Sequence, residues 1–223
     1  MFGKLFRLNR ETNDHNFIVK GTIMAHIFQL KVTLDGTKPP VWRRMQIAST
    51  LTFYDLHTII QEIMPWDNYH LHMFTIDWNT HIESCDMTSV AELQDMHGPD
   101  VLLDHKIKLS TFLKYEKQKI QYTYDFGDSW DHTIMVEKII ETKDAFEPAV
   151  CLTGKRNAPL EDCGGIPGYY ECLECIKNPK NVDEYYSEFL EDTDWEPEHF
   201  DLDQVNTALK KLFTKEGKQK DIR

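Results

Sequence analysis

Lys119-Ile-Gln-Tyr-Thr-Tyr-Asp-Phe-Gly-Asp-Ser-Trp-Asp-His-Thr-Ile-Met-Val-Glu-Lys-Ile-Ile140 is the stretch that decides the fold. Apolar and polar residues alternate on both sides of a short turn, and a period of two is the signature of a strand with one buried face. Lys119 to Tyr124 and Trp130 to Ile140 therefore read as the arms of a hairpin around Gly127. Gly tolerates φ > 0 and Asp bonds back to its own backbone, which suits Asp-Phe-Gly-Asp to a tight turn. The turn also gathers Asp125, Asp128, Asp131 and His132, more acid than turning the chain requires. One reading is a divalent-metal or general acid/base site. The other, which carries more weight because Asp-rich turns are common for backbone reasons alone, is that the carboxylates cap turn amides while Trp130 and His132 pack or face solvent.

Outward from the hairpin, Ile23 to Leu34 and Val41 to Ile47 alternate as strands, separated by a turn that holds Pro39 and Pro40. Thr52, with Asp55 three residues on, caps a helix whose apolar face is Leu56, Ile59, Ile60, Ile63 and Met64, ended by Pro65. Leu71 to Trp78 reads as a strand. Residues 80 to 105 read as polar and irregular, with a short helix near Val90. Ser110 caps a turn of helix through Tyr115, and Ala149 to Leu160 reads as loop. Gly164-Gly-Ile-Pro-Gly168 delivers the chain into a helix from Tyr169 to Ile176, and Asp201 with Gln204 caps a last helix carrying Leu202, Val205, Leu209 and Leu212. Hairpins mixed with a few helices, without a repeating βαβ pattern, predict an α+β fold: a single domain with a largely antiparallel curved sheet and a few packed helices. Its expected extent is residues 21–215, with an N-terminal appendage at 1–20 and a basic tail at 216–223.

A chain of 223 residues, 41% hydrophobic, can bury a sizeable core, which excludes wholesale disorder. No apolar run is long enough for a membrane span, and the first residues lack the core of a secretory signal, so no membrane role is expected and the default location is cytoplasmic. Five cysteines fit reduced thiols better than a disulfide framework. Cys172-Leu-Glu-Cys175 has zinc-ligand spacing but lies on one helix, so neither a disulfide nor a structural zinc is expected. The net charge is −12; residues 1–20 carry +2 and residues 207–223 carry +4, leaving −18 on the body between them. Such a body disfavours bulk nucleic-acid binding unless a local patch overrides it.

Arg43 and Arg44 follow two prolines and open a strand, so their guanidiniums point to opposite faces. The inward one needs a partner, and Glu161 or Asp162 is the natural candidate; the alternative is an arginine that receives an anionic ligand. The Gly-rich loop ahead of Tyr169 has neither a phosphate-loop nor a dinucleotide spacing. Asp183 to Trp195, acidic with embedded aromatics, reads equally as a docking strip for a basic protein partner and as a surface segment with Phe189, Leu190 and Trp195 tucked into the core.

Four stretches together resemble the plasmid pRiA4b ORF-3-like family: Pro39-Pro-Val-Trp-Arg-Arg44; the helix followed by Trp66 and His70-Leu-His-Met-Phe-Thr-Ile76; Tyr124-Asp-Phe-Gly-Asp-Ser-Trp-Asp-His132; and Glu161-Asp-Cys-Gly-Gly165 with Gly168-Tyr169. They occur in the family's order across most of residues 26 to 206. The resemblance implies a single α+β domain with no established biochemical activity. The chain departs from the family where a Cys-Pro-Pro tends to precede Glu-Asp; Asn157-Ala-Pro-Leu160 stands there instead. The resulting expectation is a cytoplasmic binding or interaction module, its candidate residues being Arg43, Arg44, Asp125, Asp128, His132, Glu161 and Asp162. A metal-assisted hydrolase or nuclease, with Asp125, Asp128 and Glu161 or Asp162 as ligands and His132 as acid/base, is the alternative. No cofactor follows from the residues alone, and the hairpin turn and the Glu161 to Gly165 loop are expected to be neighbours.

Overall fold

The computed structural model describes residues 18–19, 22–23, 25–84, 102–178, 184–191 and 193–214. The strands are β1 (Ile18–Val19), β2 (Thr22–Ile23), β3 (Ala25–Leu34), β4 (Trp42–Ala48), β5 (His72–Asp77), β6 (Thr80–Glu83), β7 (Leu102–Leu103), β8 (Lys119–Tyr124), β9 (Trp130–Thr142) and β10 (Ala149–Lys155). The helices are α1 (Phe53–Ile63), α2 (Leu109–Phe112), α3 (Gly165–Lys177), α4 (Glu184–Glu191) and α5 (Leu202–Leu212), with a 3-10 turn at Asp104–Lys106. Eight strands form one open sheet in the order β10-β4-β3-β9-β8-β5-β6-β7, and every pairing is antiparallel except β6 with β7.

The α+β architecture read from the hairpin is the one observed. β8 and β9 pair from Lys119↔Met135 to Tyr124↔Trp130, and β3 lies on the other side of β9. The turn uses different residues from those expected. Asp125 (φ 55°) and Ser129 (φ 52°) take the left-handed conformation, while Gly127 donates its amide to Asp125 Oδ1 at 2.9 Å. An Asp side chain that bonds locally offsets its own backbone cost, so glycine is not required there.

Inward-facing residues alternate strictly: Leu30, Val32 and Leu34 on β3, Met45 and Ile47 on β4, Ile120, Tyr122 and Tyr124 on β8, and Trp130, His132, Ile134 and Val136 on β9 are all buried. α1 covers this face. Thr52 and Asp55 form the reciprocal cap expected of them, and Phe53, Leu56, Ile59, Ile60 and Ile63 are fully buried, each worth about 1.5–3 kcal/mol. Ala149 to Leu160 is not loop throughout, because β10 fills its first half and pairs with β4. The alternation was hidden by a bulge between Cys151 and Thr153 and by Gly154, whose missing Cβ leaves room for Arg43 and Phe200. α3 begins at Gly165 rather than Tyr169, with Pro167 tolerated in its first turn. The short helix expected near Val90 lies outside the described residues. Phe189, Leu190 and Trp195 pack against the core, while Tyr185 of α4 is exposed.

Three buried imidazoles, His57, His72 and His132, sit in this core. His57 and His72 stack with ring centroids 3.5 Å apart; His57 contacts the Tyr122 hydroxyl (2.8 Å) and Asn68 Oδ1 (2.7 Å), and His72 contacts Asp104 Oδ2 (2.9 Å). Burial, reinforced by His72, pushes the His57 pKa well below its ordinary value, and burial lowers His132 to about 4. A base whose folded pKa lies below its unfolded value resists protonation in the native state. Its stabilisation is therefore full above the unfolded pKa of about 6.5 and is lost as pH falls towards about 4. For His132 alone the loss approaches about 3 kcal/mol, and His57 adds to it in the same direction. Urea unfolding at pH 7.5 and pH 4.5 is expected to show this loss, and His132→Asn should flatten the slope; an unchanged slope in the variant would remove His132 from the account.

Candidate functional site

Three separated segments meet where β8 ends. The first is the loop after α1, anchored by Trp66, whose indole N–H donates to the Pro159 carbonyl (2.9 Å) while its ring stacks on Tyr124 (5.2 Å) and Trp130 (5.8 Å). Asn68 takes φ 60° and reaches back to buried His57, which fixes the backbone just before His70. The second is the turn at Asp125, whose amide donates to the Leu71 carbonyl (2.9 Å). The third is the loop Glu161-Asp162, where Asp162 is again left-handed at φ 58°.

Glu161 ties the segments together. It accepts the Tyr124 hydroxyl at 2.5 Å through Oε1 and the Asp67 amide at 2.5 Å through Oε2. Burial and this carboxylate hold the Tyr124 pKa well above its usual value, so the phenol remains the donor. The hairpin turn and the Glu-Asp loop are also joined directly: the Gly164 amide donates to Asp128 Oδ2 (3.0 Å), and Gly165 lies against the Asp128 carbonyl.

The result is a cradle of one imidazole and two carboxylates. His70 Nε2 lies 3.0 Å from Asp162 Oδ1 and 3.7 Å from Asp125 Oδ2, and one ligand atom from each residue falls within 4.8 Å of the others. Among the described residues this is the one grouping of three or more His, Cys, Asp or Glu side chains with such geometry. Donors held about 2.1 Å from one ion stand about 3.0–3.4 Å apart in octahedral or tetrahedral geometry; the His70–Asp162 separation of 3.0 Å meets this, whereas Asp125, at 3.7 Å from His70, would have to move inward on binding. The Asp125 side chain is 10% exposed, whereas Asp162 is 66% exposed, so the cradle is backed by protein and open on the Asp162 side. Tyr69 and Phe126, sequence neighbours of His70 and Asp125, are exposed large rings beside it.

Several expected site residues lie elsewhere. His132 faces the core, hydrogen-bonded to the Trp130 carbonyl (2.8 Å), and Asp131 faces outward to Thr123 (2.6 Å). Neighbours on a strand point to opposite faces, so Asp131 and His132 cannot serve one site. His132, fully buried in the core, does not stand open to solvent where the hydrolase reading needs its acid/base. Asp128 is used by the Gly164 amide.

Arg43 and Arg44 do point to opposite faces, yet neither reaches Glu161 or Asp162. Arg43 is buried and donates to the carbonyls of Ile63 (2.8 Å), Trp42 (3.0 Å) and Lys155 (3.2 Å), with its guanidinium 4.3 Å from the Phe200 ring centroid; Arg44 forms a two-pronged ion pair with Glu137 at 2.6 and 2.8 Å. Backbone carbonyls take the place of the expected carboxylate. The imidazole of the cradle is His70, which the reading of the hairpin overlooked. The signal was present in His70-Leu-His72, where one histidine enters β5 facing inward and the other remains at the strand's mouth.

Cys151, Cys163, Cys172 and Cys175 are buried free thiols. Cys163, next to the cradle loop, and Cys172 of α3 are hydrogen-bonded, which raises the pKa of the first and lowers that of the second.

An open, mostly antiparallel sheet whose hairpin turn is clasped by a Glu-Asp-Cys-Gly-Gly loop defines an α+β class of domain in which the cradle sits at the mouth of the central strands. The chain belongs to the plasmid pRiA4b ORF-3-like protein family, whose sequence model matches residues 26–204. It is 31% identical over 199 residues to the uncharacterized protein y4hQ of Sinorhizobium fredii, covering 86% of this chain and 95% of that one. It is also similar to a solved structure, the protein of unknown function MM3350 from Methanosarcina mazei Go1, with a TM-score of 0.67 and 34% identity over 81% of this chain and 98% of that one. Among the described residues, no helix is long and apolar enough to cross a membrane.

Proposed function

We propose that the protein is a cytoplasmic binding module whose ligand site is a divalent transition-metal centre at His70, Asp125 and Asp162. The observation that supports it is the convergence of an imidazole and two carboxylates from three segments, two of them at left-handed aspartates. Mixed nitrogen and oxygen donors suit Mn²⁺, Fe²⁺, Ni²⁺ or Zn²⁺ better than Mg²⁺ or Ca²⁺. Three protein donors leave positions open on the solvent side, where Tyr69 and Phe126 offer apolar area to whatever the cation holds. Buried free thiols support the cytoplasmic setting.

Metal-assisted hydrolysis is the second reading, favoured by the same open positions. Binding is the better supported, because Glu161, the carboxylate adjacent to Asp162, is already held by two donors and is not a free general base. The test is titration calorimetry of chelator-treated protein with MnCl₂ and ZnCl₂. One site per chain at about micromolar affinity is expected, lost at least tenfold in Asp125→Asn, in line with removal of one ligand from a three-ligand site. Full-strength binding in Asp125→Asn, or no binding by the unaltered protein, would sink the assignment. Phosphodiester turnover by the loaded protein would move the reading to hydrolysis.

A further inference from the structure

The outer face of the sheet carries a second, separate feature. Cross-strand pairing sets Arg44 of β4 opposite Lys31 of β3, Lys31 opposite Met135 of β9, and Met135 opposite Lys119 of β8. These residues share one face, so a row of three cations and a methionine runs across four strands at about 4.8 Å per strand. Like charges directly opposite one another destabilise a sheet, and here the Trp42 ring, 5.0 Å from Lys31 Nζ and 5.2 Å from the Arg44 guanidinium carbon, offsets part of that repulsion while the row stays cationic.

A groove of about 710 Å³ opens along this row, lined by Gln29, Arg44, Lys117, Lys119, Met135, Val136, Glu137 and Lys138. Its one lining carboxylate, Glu137, is held by Arg44 and by Gln29 (2.8 Å). Lys117, Lys119 and Lys138 have no ion pair among the described residues, so the lining carries four cations against one anion in a chain whose net charge is −12. Lys117 and Lys119 lie at the start of β8, six or more residues from Asp125, which puts the groove about 20 Å along the strand from the His70 cradle.

We propose that this groove binds a small ligand bearing two or more adjacent phosphoryl groups. Each phosphoryl group carries roughly −1.5 to −2 charge and three acceptor oxygens, so two or three of them match the lysines and compete with Glu137 for the Arg44 fork. Carboxylates deliver one charge each and would have to crowd to do the same. The volume is in the range of small-molecule sites, about 300–1,000 Å³. A small ligand is favoured over nucleic acid because a longer polyanion leaves the groove and meets the −18 body within roughly a Debye length of 8 Å, whereas a confined one does not.

The test uses the full chain, chelator-treated, at low ionic strength, with sodium tripolyphosphate as the probe in titration calorimetry. Saturable binding at about submillimolar affinity is expected, weakened at least tenfold by Lys119→Glu with Lys138→Glu, since each tenfold is about 1.4 kcal/mol and two charge reversals exceed that. The melting midpoint should not change, because both side chains are exposed. Asp125→Asn should bind tripolyphosphate as the unaltered protein does, which separates the groove from the proposed metal centre. Tighter binding of a single-stranded oligodeoxynucleotide than of tripolyphosphate, equal binding of a polyglutamate peptide, or no binding at roughly ten times the expected dissociation constant would each overturn the proposal.

Discussion

Gly168→Ala is expected to be the most damaging small substitution in the chain, costing more than about 4 kcal/mol and lowering the melting temperature by roughly 10 °C or more. A Cβ at this position would fall 1.6 Å from the Cys163 carbonyl oxygen and 2.6 Å from its carbon. The obstacle is backbone, so no rotamer change relieves it; either the first turn of α3 or the Glu161 to Gly165 loop must move. Moving the loop carries Asp162 away from His70 and takes the Gly164 amide from Asp128. Cation binding at the cradle should then weaken together with stability, even in whatever fraction folds. Gly164→Ala is the control. Its φ of 92° is costly for alanine, but the new methyl would make only ordinary contacts, with the Tyr186 hydroxyl at 3.5 Å and the Gly168 Cα at 3.9 Å, so the penalty should stay near 1–2 kcal/mol. Differential scanning calorimetry of the two variants orders them, and equal midpoints would show that the α3 approach is softer than the geometry implies.

The same loop shows why part of the site was legible in the sequence and part was not. Turn chemistry is local, so the hairpin, the α1 cap and the spacing of inward residues could be read from their neighbours. The pairing of the hairpin turn with Glu161-Asp162-Cys163-Gly164-Gly165 is readable from their joint wealth of polar residues together with the family resemblance. What could not be read is the partner of a side chain that crosses the fold. His132 was drawn into the acidic turn by proximity in sequence, whereas strand parity sends it inward; His70, 55 residues from Asp125, is brought beside it by the pairing of β5 with β8. The bulge in β10 disguised a strand for a similar reason, because its alternation resumes only after a register shift against β4.

Arg43 tests how a charge can be buried without a carboxylate. Desolvation lowers its pKa to about 10, yet at neutral pH the guanidinium remains charged, with three N–H donations to carbonyl oxygens and an aromatic ring against it instead of an anion. Carbonyl dipoles from the end of α1, from β4 and from β10 thus converge on one side chain, which acts as a clamp between helix and sheet edge. Arg43→Ala removes the ring contact, leaves a cavity and strands the Ile63 and Lys155 carbonyls, so a loss of about 3–5 kcal/mol is expected. Arg43→Met restores most of the volume and removes the desolvated charge, and should recover about half of that loss, the remainder measuring the stranded carbonyls. Arg44→Ala breaks a partly exposed ion pair with Glu137 and should cost no more than about 1 kcal/mol. Urea unfolding of the three variants gives the comparison. If Arg43→Ala proved as mild as Arg44→Ala, the carbonyl clamp would hold nothing that packing does not already hold; if Arg43→Met proved as severe as Arg43→Ala, the positive charge itself would be what joins α1 to β10.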